Sequence, residues 1–454
     1  MLGHPLYQKA RPGISQHLDR LWTAGTSADL YAAQRELLVE FRARQQLIRV
    51  DIAELLTEQN AELRKVLSLS PRPIPELQRV QKRLADAKEI ERLHASLQHS
   101  VRQIADGLAW RALQFDRRMF AVLGQGRRVG HMAYGPGLGA ELAVLDAAWR
   151  EQGLLAIHND MTNCLRHGDL TLIRFRPSGV EVTVNEVKVE GASVDHAQTK
   201  RLTEAVDLLR TGRHASVNAG RPVQIAYATS DYKSHVGMLP ALIARARLEM
   251  VAWQQVTPWL FVGAADLIAC SRDSEAADAK IDQYRDEVAL THRRSFRFTF
   301  GERRMRDRRA SSSYLAPVTV FPLSLDDMTD LVLGYVEVFS LIDVDALTRE
   351  LAGLGLSVHI TPPPLSERVF LTADAGPLTV AVPPEVREQA LVELLSAESI
   401  AAAIEAVIRV APTLAPRETV IVGHPNEWRT WSRGLSIEAD TPRDNSGVIS
   451  PRTV

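Results

Sequence analysis

Apolar residues recur at helical spacing through the first part of the chain. The first stripe comprises Leu30, Leu37, Phe41, Ile48, Ile52 and Leu55. A second stripe, over residues 77–108, has a mean spacing close to the ~3.5 of a coiled-coil seam. The proline-rich residues 70–75 between the two stripes cannot continue a helix. We therefore expect an antiparallel helical hairpin in a module at residues 1–123.

The apolar pattern fits a seam within one chain as well as a seam between two chains. These helices are therefore also the expected site of a homo-oligomer or of a partner protein. We interpret them as an assembly or recognition element without a catalytic role.

Beyond a glycine-rich stretch at residues 124–139, helical and strand patterns mix. The strand patterns are rich in β-branched residues. The predicted helices cover 138–152, 195–210 and 237–254, and the predicted strands cover 154–157, 169–175, 180–189, 223–229 and 259–262. We expect an α/β domain at 135–270, a mixed α/β module at 271–437 and a flexible tail at 438–454.

Composition and charge narrow the choice of function. A chain of 454 residues is too long for one core, and its net charge of -1 means that a nucleic-acid site must be a local basic patch. Two cysteines, Cys164 and Cys270, give neither a disulfide framework nor a thiolate zinc cluster. No export-signal pattern and no apolar run near the roughly 20 residues of a membrane helix is evident. We expect a cytoplasmic protein with no membrane partner.

A predicted β-hairpin carries the acidic residues of interest. Residues 176–179, Arg-Pro-Ser-Gly, form a favourable turn. If the turn centres between Pro177 and Ser178, Asp169 faces Glu186 directly, with Cβ atoms about 5 Å apart. Lys188 lies on the same strand face as Glu186 because side chains alternate. Two carboxylates at this separation repel unless a proton or a cation lies between them, and Mg²⁺ would suit both.

The order of these residues resembles the PD-(D/E)xK superfamily of nucleases. In that family an acid-bearing helix precedes a hairpin that supplies Asp and then Glu-x-Lys, and a helix with a polar residue follows. Glu141, Asp169, Glu186, Lys188 and Gln198 occur here in that order. Gly168 replaces the proline of the family's name. The resemblance covers about 130 residues and implies a restriction-endonuclease-like mixed sheet flanked by helices.

The resemblance also implies roles for individual residues. Asp169, Glu186 and the Val187 carbonyl would bind Mg²⁺, with Mn²⁺ as a substitute, and Lys188 would assist the attacking water. Gln198 and Arg201, one helical turn apart, would orient water or phosphate.

Glu141 falls on the inward face of its helix. It is interpreted either as a further acid beside the metal pair or as an acid at the rim of a core. The histidines near the site in sequence, His158, His167, His196 and His235, are interpreted as core or surface residues and not as metal ligands.

An arginine-rich stretch near residues 293–309 is a second candidate site. Arg293, Arg294 and Arg297 accompany an alternating Phe296-Arg297-Phe298 strand pattern, which would suit contact with a phosphate backbone. The alternative is an edge strand whose arginines pair with nearby acids.

The sequence thus predicts a Mg²⁺-dependent nuclease, with DNA favoured over RNA as substrate. A role in bacterial defence against foreign DNA is an analogy at the level of the family. A second hypothesis is a scaffold or regulatory protein that combines coiled-coil assembly with an inactive nuclease-like domain. A third is a hydrolase of another phosphate compound, and the hairpin itself is also compatible with an ordinary solvated polar face.

Overall fold

The computed structural model describes residues 4–69, 73–124, 136–176, 179–187, 196–218, 221–291, 295–299, 315–361, 371–414, 419–424 and 427. The chain begins with α1 (Pro5–Thr23), α2 (Ser27–Gln46), a π-helical segment (Leu47–Ile52), α3 (Ala53–Leu67) and α4 (Ile74–Ala112). Thr26 and Asp29 start α2 through a reciprocal capping box. Pro75 opens α4, where its missing N–H costs no helical hydrogen bond.

Helix α4 runs antiparallel to α2 and α3. Arg83 of α4 pairs with Glu62 of α3, and further along α4 the Arg102 guanidinium lies 4.7 Å from the centre of the Phe41 ring of α2. These contacts confirm the predicted helical hairpin. Leu30, Leu37 and Phe41 of the first stripe are buried, so much of the seam closes within one chain.

The part of the chain that includes the predicted β-hairpin contains α5 (Arg117–Leu123), α6 (Pro136–Gln152), β1 (Leu155–His158), β2 (Leu170–Arg176), β3 (Gly179–Asn185) and α7 (His196–Thr211). Strands β1, β2 and β3 form an antiparallel sheet in that order. Arg176 pairs with Gly179 and Leu170 with Asn185, which confirms the register predicted from the turn. Strand β3 ends at Asn185, so the strand predicted over 180–189 is too long and Glu186 lies just beyond the ladder.

The remaining elements are β4 (Arg213–Asn218), β5 (Arg221–Tyr227), α8 (Leu239–Glu249), β6 (Val251–Gln255), β7 (Leu260–Asp266), α9 (Leu267–Arg272), α10 (Ser274–Thr291), β8 (Ser295–Thr299), α11 (Leu325–Leu333), β9 (Val336–Asp343), α12 (Val344–Gly353), β10 (Val358–Ile360), β11 (Leu371–Ala375), β12 (Leu378–Ala381), α13 (Pro384–Val392), α14 (Ala397–Val410) and β13 (Thr419–Gly423). The sheets have the orders β13-β5-β4, β6-β7-β9-β8 and β10-β11-β12. The architecture is mixed α/β and mostly helical.

The strands are distributed differently from the single mixed sheet predicted for residues 135–270. Strand β5 joins β4 and pairs in parallel with β13, nearly 200 residues away in sequence. Strand β7 pairs with β9, so one sheet crosses the boundary predicted near residue 271. These pairings join distant segments, and such pairings leave no local signal in a single sequence.

A further difference lies in residues 237–254, which the sequence predicts as one helix. Helix α8 ends at Glu249, Met250 adopts a positive φ of 68°, and β6 follows. Val251 then pairs with Ala265 and Gln255 with Phe261 of β7. Cross-strand pairing with β7 therefore overrides the helical pattern of the last five predicted residues.

The larger of the two hydrophobic core clusters among the described residues extends from Tyr7 of α1 to Val422 of β13. Helix α1 packs on α4 and α11, which brings the first helix into contact with an element about 300 residues further along the chain. In the same core the buried Arg117 binds Glu393 and Glu427. No helix among the described residues is long and apolar enough to cross a membrane.

Candidate functional site

Asp169 is positioned by a glycine turn at the open end of the β2–β3 hairpin. Gly168 has φ +69°, and a Cβ added there would lie 2.7 Å from the Asn185 carbonyl oxygen. The Asp169 N–H donates to that same oxygen at 2.9 Å, and Asp169 Oδ2 accepts from the Val187 N–H at 2.7 Å. Proline, with φ near −65°, cannot adopt this conformation. A proline at position 168 is therefore incompatible with the observed turn.

Asn159 fixes the loop that carries Asp169. Its backbone N–H donates to the Asp169 carbonyl at 2.9 Å, and its Nδ2 donates to the His167 carbonyl at 2.6 Å. Its Oδ1 accepts from Thr171 Oγ1 at 2.8 Å. Asn159 was not predicted as a site residue, although an Asn at the end of a strand is a recognised source of such local bonds.

The electrostatics of Asp169 show that acidic side chains gather around it. Burial, followed by the charges of Glu186, Glu141 and Asp160, raises the pKa of Asp169 to about 6, against the opposing hydrogen bond from the Val187 N–H. The charges of the predicted acids Glu186 and Glu141 therefore both act on Asp169. Asp160, in the short helical turn Asn159–Met161, is an addition that was not predicted from the sequence.

Glu141 reaches the site from α6 and is 9% exposed. Its Oε2 lies 2.8 Å from Nε2 of His158, which is completely buried at the end of β1. Of the two interpretations of Glu141, the inward acid agrees with this geometry. His158 is a core residue, as interpreted from the sequence, but it also contacts the acidic side chain of Glu141.

A second buried carboxylate anchors the β1–β2 loop from behind. Asp106 of α4 accepts hydrogen bonds from the backbone N–H groups of Asn163 (2.6 Å) and Cys164 (3.1 Å), and from Asn163 Nδ2 (2.7 Å). Burial raises the pKa of the Cys164 thiol, which makes it a poor nucleophile. The central helix of the N-terminal module therefore holds the loop between His158 and Asp169.

For several predicted site residues, the described part of the structure includes no side chain. Lys188, Arg293 and Arg294 are outside the described residues. The backbones of Gln198 and Arg201 lie in α7, and that of Arg297 lies in the edge strand β8, but their side chains are outside the described part of the structure.

The donor set decides which ion would fit. Within the described ranges, no group of three or more His, Cys, Asp or Glu side chains is arranged to hold a metal ion. The opposed pair of Asp169 and Glu186 with the Val187 carbonyl offers oxygen atoms alone. Mg²⁺ is commonly held by one or two carboxylates, with water and substrate phosphate completing its octahedron. The residues therefore fit Mg²⁺ or Mn²⁺ bound together with substrate.

Comparison of the chain with protein-family models, with curated proteins and with solved structures found no match. The chemistry of the site is consequently inferred from its own residues and from their geometry.

Proposed function

We propose that this protein is a metal-dependent nuclease that hydrolyses phosphodiester bonds, with DNA favoured as substrate. The observation that carries the proposal is the pair of acids at the end of the β2–β3 hairpin. Asp169 is held against the Val187 backbone, and burial, followed by the charges of Glu186, Glu141 and Asp160, raises its pKa to about 6. Carboxylates gathered in a partly buried place favour the binding of a cation.

Asp169, Glu186 and the Val187 carbonyl would hold Mg²⁺, with Mn²⁺ able to substitute. When bound, the ion would lower the pKa of a water molecule and stabilise negative charge on the phosphate. Asp169 must lose its proton to act as a ligand, which its pKa of about 6 allows near neutral pH. Glu141, fixed by His158, would orient water in the site. Lys188, two residues beyond Glu186, would contact the attacking water or the phosphate.

The substrate would be held by cationic side chains beyond the acids. We assign this role to Arg201 of α7 and to Arg293, Arg294 and Arg297 around β8, while the neutral Gln198 of α7 would orient water or phosphate. Local arginines are required because the chain as a whole has a net charge of -1 and does not attract a polyanion. Cytoplasmic defence against foreign DNA remains the biological role that we propose by analogy.

Cleavage of linear and circular duplex DNA with Mg²⁺, Mn²⁺ or EDTA tests the proposal. We expect metal-dependent cutting by the wild type and a loss of at least ~100-fold in Glu186→Ala and Lys188→Ala, because each removes a group from the reacting centre. Glu181→Ala is the matched control, since Glu181 is an exposed acid of β3, paired with Arg176. Cutting of the circle would show endonuclease action.

Equal activity in the wild type and both variants would overturn the proposed site. If no form cuts DNA and calorimetry detects no bound Mg²⁺, the scaffold or regulatory hypothesis is favoured. The antiparallel hairpin of α3 and α4, with Leu67, Leu69 and Ile74 exposed near its tip, is the structural feature that would then take part in assembly.

A further inference from the structure

His158 connects the helix that carries Glu141 with the strand that leads to Asp169. It is the last residue of β1, it is completely buried, and it pairs with Leu170 of β2. Its Nε2 lies 2.8 Å from Glu141 Oε2. The next residue, Asn159, holds the Asp169 carbonyl. The two consecutive residues His158 and Asn159 therefore contact the side chain of Glu141 and the backbone of Asp169.

The direction of the His158–Glu141 hydrogen bond follows from its chemistry. A carboxylate can accept but cannot donate, so the His158 proton lies on Nε2. Within the described part of the chain, His158 Nδ1 is buried and has no hydrogen-bond partner. The imidazole thus donates one hydrogen bond, and that bond goes to Glu141.

We propose that His158 is a positioning residue that fixes the carboxylate of Glu141 for metal binding. The bond engages Oε2, so Oε1 would be available to a water molecule of the Mg²⁺ that Asp169 and Glu186 would hold. This inference rests on the proposed metal site. Groups that orient the residues around a metal in this way commonly affect its affinity by about 10–100-fold.

Packing alone gives no reason for a histidine at this position. A buried imidazole with one nitrogen unbonded is less favourable for stability than an aliphatic side chain of similar size. The buried Glu141 needs a hydrogen-bond donor, but an apolar residue in its place would need none. Replacing both partners of a buried polar pair by apolar residues is often neutral or stabilising. A purely structural pair would therefore be expendable, whereas a positioning pair would not.

Mg²⁺ titration calorimetry on the full-length protein at pH 7.5 tests the inference, with thermal unfolding as a check on folding. We expect His158→Leu to weaken Mg²⁺ affinity about 10–100-fold. His158→Gln should recover most of it, because the glutamine amide places an N–H donor near the position of Nε2. In a Glu141→Gln background, His158→Leu should cause no further loss, because His158 acts through Glu141. His359→Leu, at an exposed histidine of β10, is the control and should bind normally.

Unchanged affinity in a folded His158→Leu protein would overturn the inference, and so would additive losses in the double variant. If His158→Leu does not fold, the comparison of His158→Gln with His158→Asn decides. The shorter asparagine cannot reach Glu141 and should bind Mg²⁺ weakly, so equal binding by the two would overturn the inference. A wild type that binds no Mg²⁺ would overturn the proposed metal site as well, whereas wild-type binding that is indifferent to His158 overturns the positioning role alone.

Discussion

Binding of Mg²⁺ should release protons from Asp169 in amounts set by its pKa. That pKa is raised to about 6, first by burial and then by the charges of Glu186, Glu141 and Asp160. A metal ligand must be deprotonated, so each binding event displaces the proton that Asp169 carries. The expected release is about 0.9 proton per ion at pH 5, about 0.5 at pH 6 and about 0.1 at pH 7. The apparent affinity should fall roughly tenfold from pH 7 to pH 5.

The same shift has a consequence for the metal-free protein. A carboxyl whose pKa is higher in the folded than in the unfolded state stabilises the fold below its unfolded pKa of 3.8, and this contribution is lost as the pH rises through about 6. Mg²⁺ should therefore raise the unfolding temperature more at pH 8 than at pH 5.

Calorimetric titration with MgCl₂ in buffers of different ionisation enthalpy measures the released protons directly. The slope of the observed enthalpy against the buffer ionisation enthalpy gives their number at each pH. Asp169→Asn removes the titrating group while keeping a carbonyl oxygen that accepts from the Val187 N–H. Glu181→Gln, which changes an exposed acid of the same hairpin, is the control and should behave as the wild type.

Three results would refute this reasoning. Mg²⁺ binding at pH 6 without proton release would mean that Asp169 is not a ligand or that its pKa is not raised. An equal release in Asp169→Asn would place the proton on another group. A pH-independent affinity between pH 5 and pH 7 would contradict the linkage itself.

Other parts of the molecule give predictions that urea unfolding can check. Gly168→Ala should lower the free energy of unfolding by ~1–3 kcal/mol, because φ is positive and the new Cβ meets the Asn185 carbonyl oxygen at 2.7 Å. Gly139→Ala is the control: it lies in open space on α6 and should leave the free energy of unfolding unchanged or raise it. Arg117→Leu should lower the free energy of unfolding by ~3–5 kcal/mol, because it leaves the buried Glu393 and Glu427 without their arginine. The control Arg176→Leu, at an exposed ion pair, should lower it by less than ~1 kcal/mol. Equal losses in the two variants would contradict the structure. Burial, followed by the nearby charge of Arg117, lowers the pKa of His424 to about 3. Acidification from pH 8 to pH 5 should therefore remove ~2 kcal/mol of stability through His424, since the unfolded histidine takes up the proton, and His424→Gln should abolish that part of the pH dependence.

Interactions between residues close together in sequence were sufficient to predict the β2–β3 hairpin. The turn at Pro177 and the alternation of side chains fix which residues face each other, and the observed pairing of Leu170 with Asn185 follows from them. The helical hairpin of α3 and α4 was predictable for the same kind of reason, since its apolar stripe and its proline-rich connection are close together in sequence. The same register places Asp169 opposite Glu186, whereas Glu141 was selected through the family resemblance and its place on the inward face of a helix.

Tertiary contacts decided the rest, because they join residues that are distant in sequence. The bond between His158 and Glu141, the approach of Asp160 and the anchoring of the loop by Asp106 each depend on how separate elements pack. The same is true of β13, which adds to β5 and joins the last described part of the chain to the middle. A single sequence determines which chemical groups are present and how neighbours along the chain face each other. The elements that bury those groups, and so set their pKa values and partners, are determined by the fold.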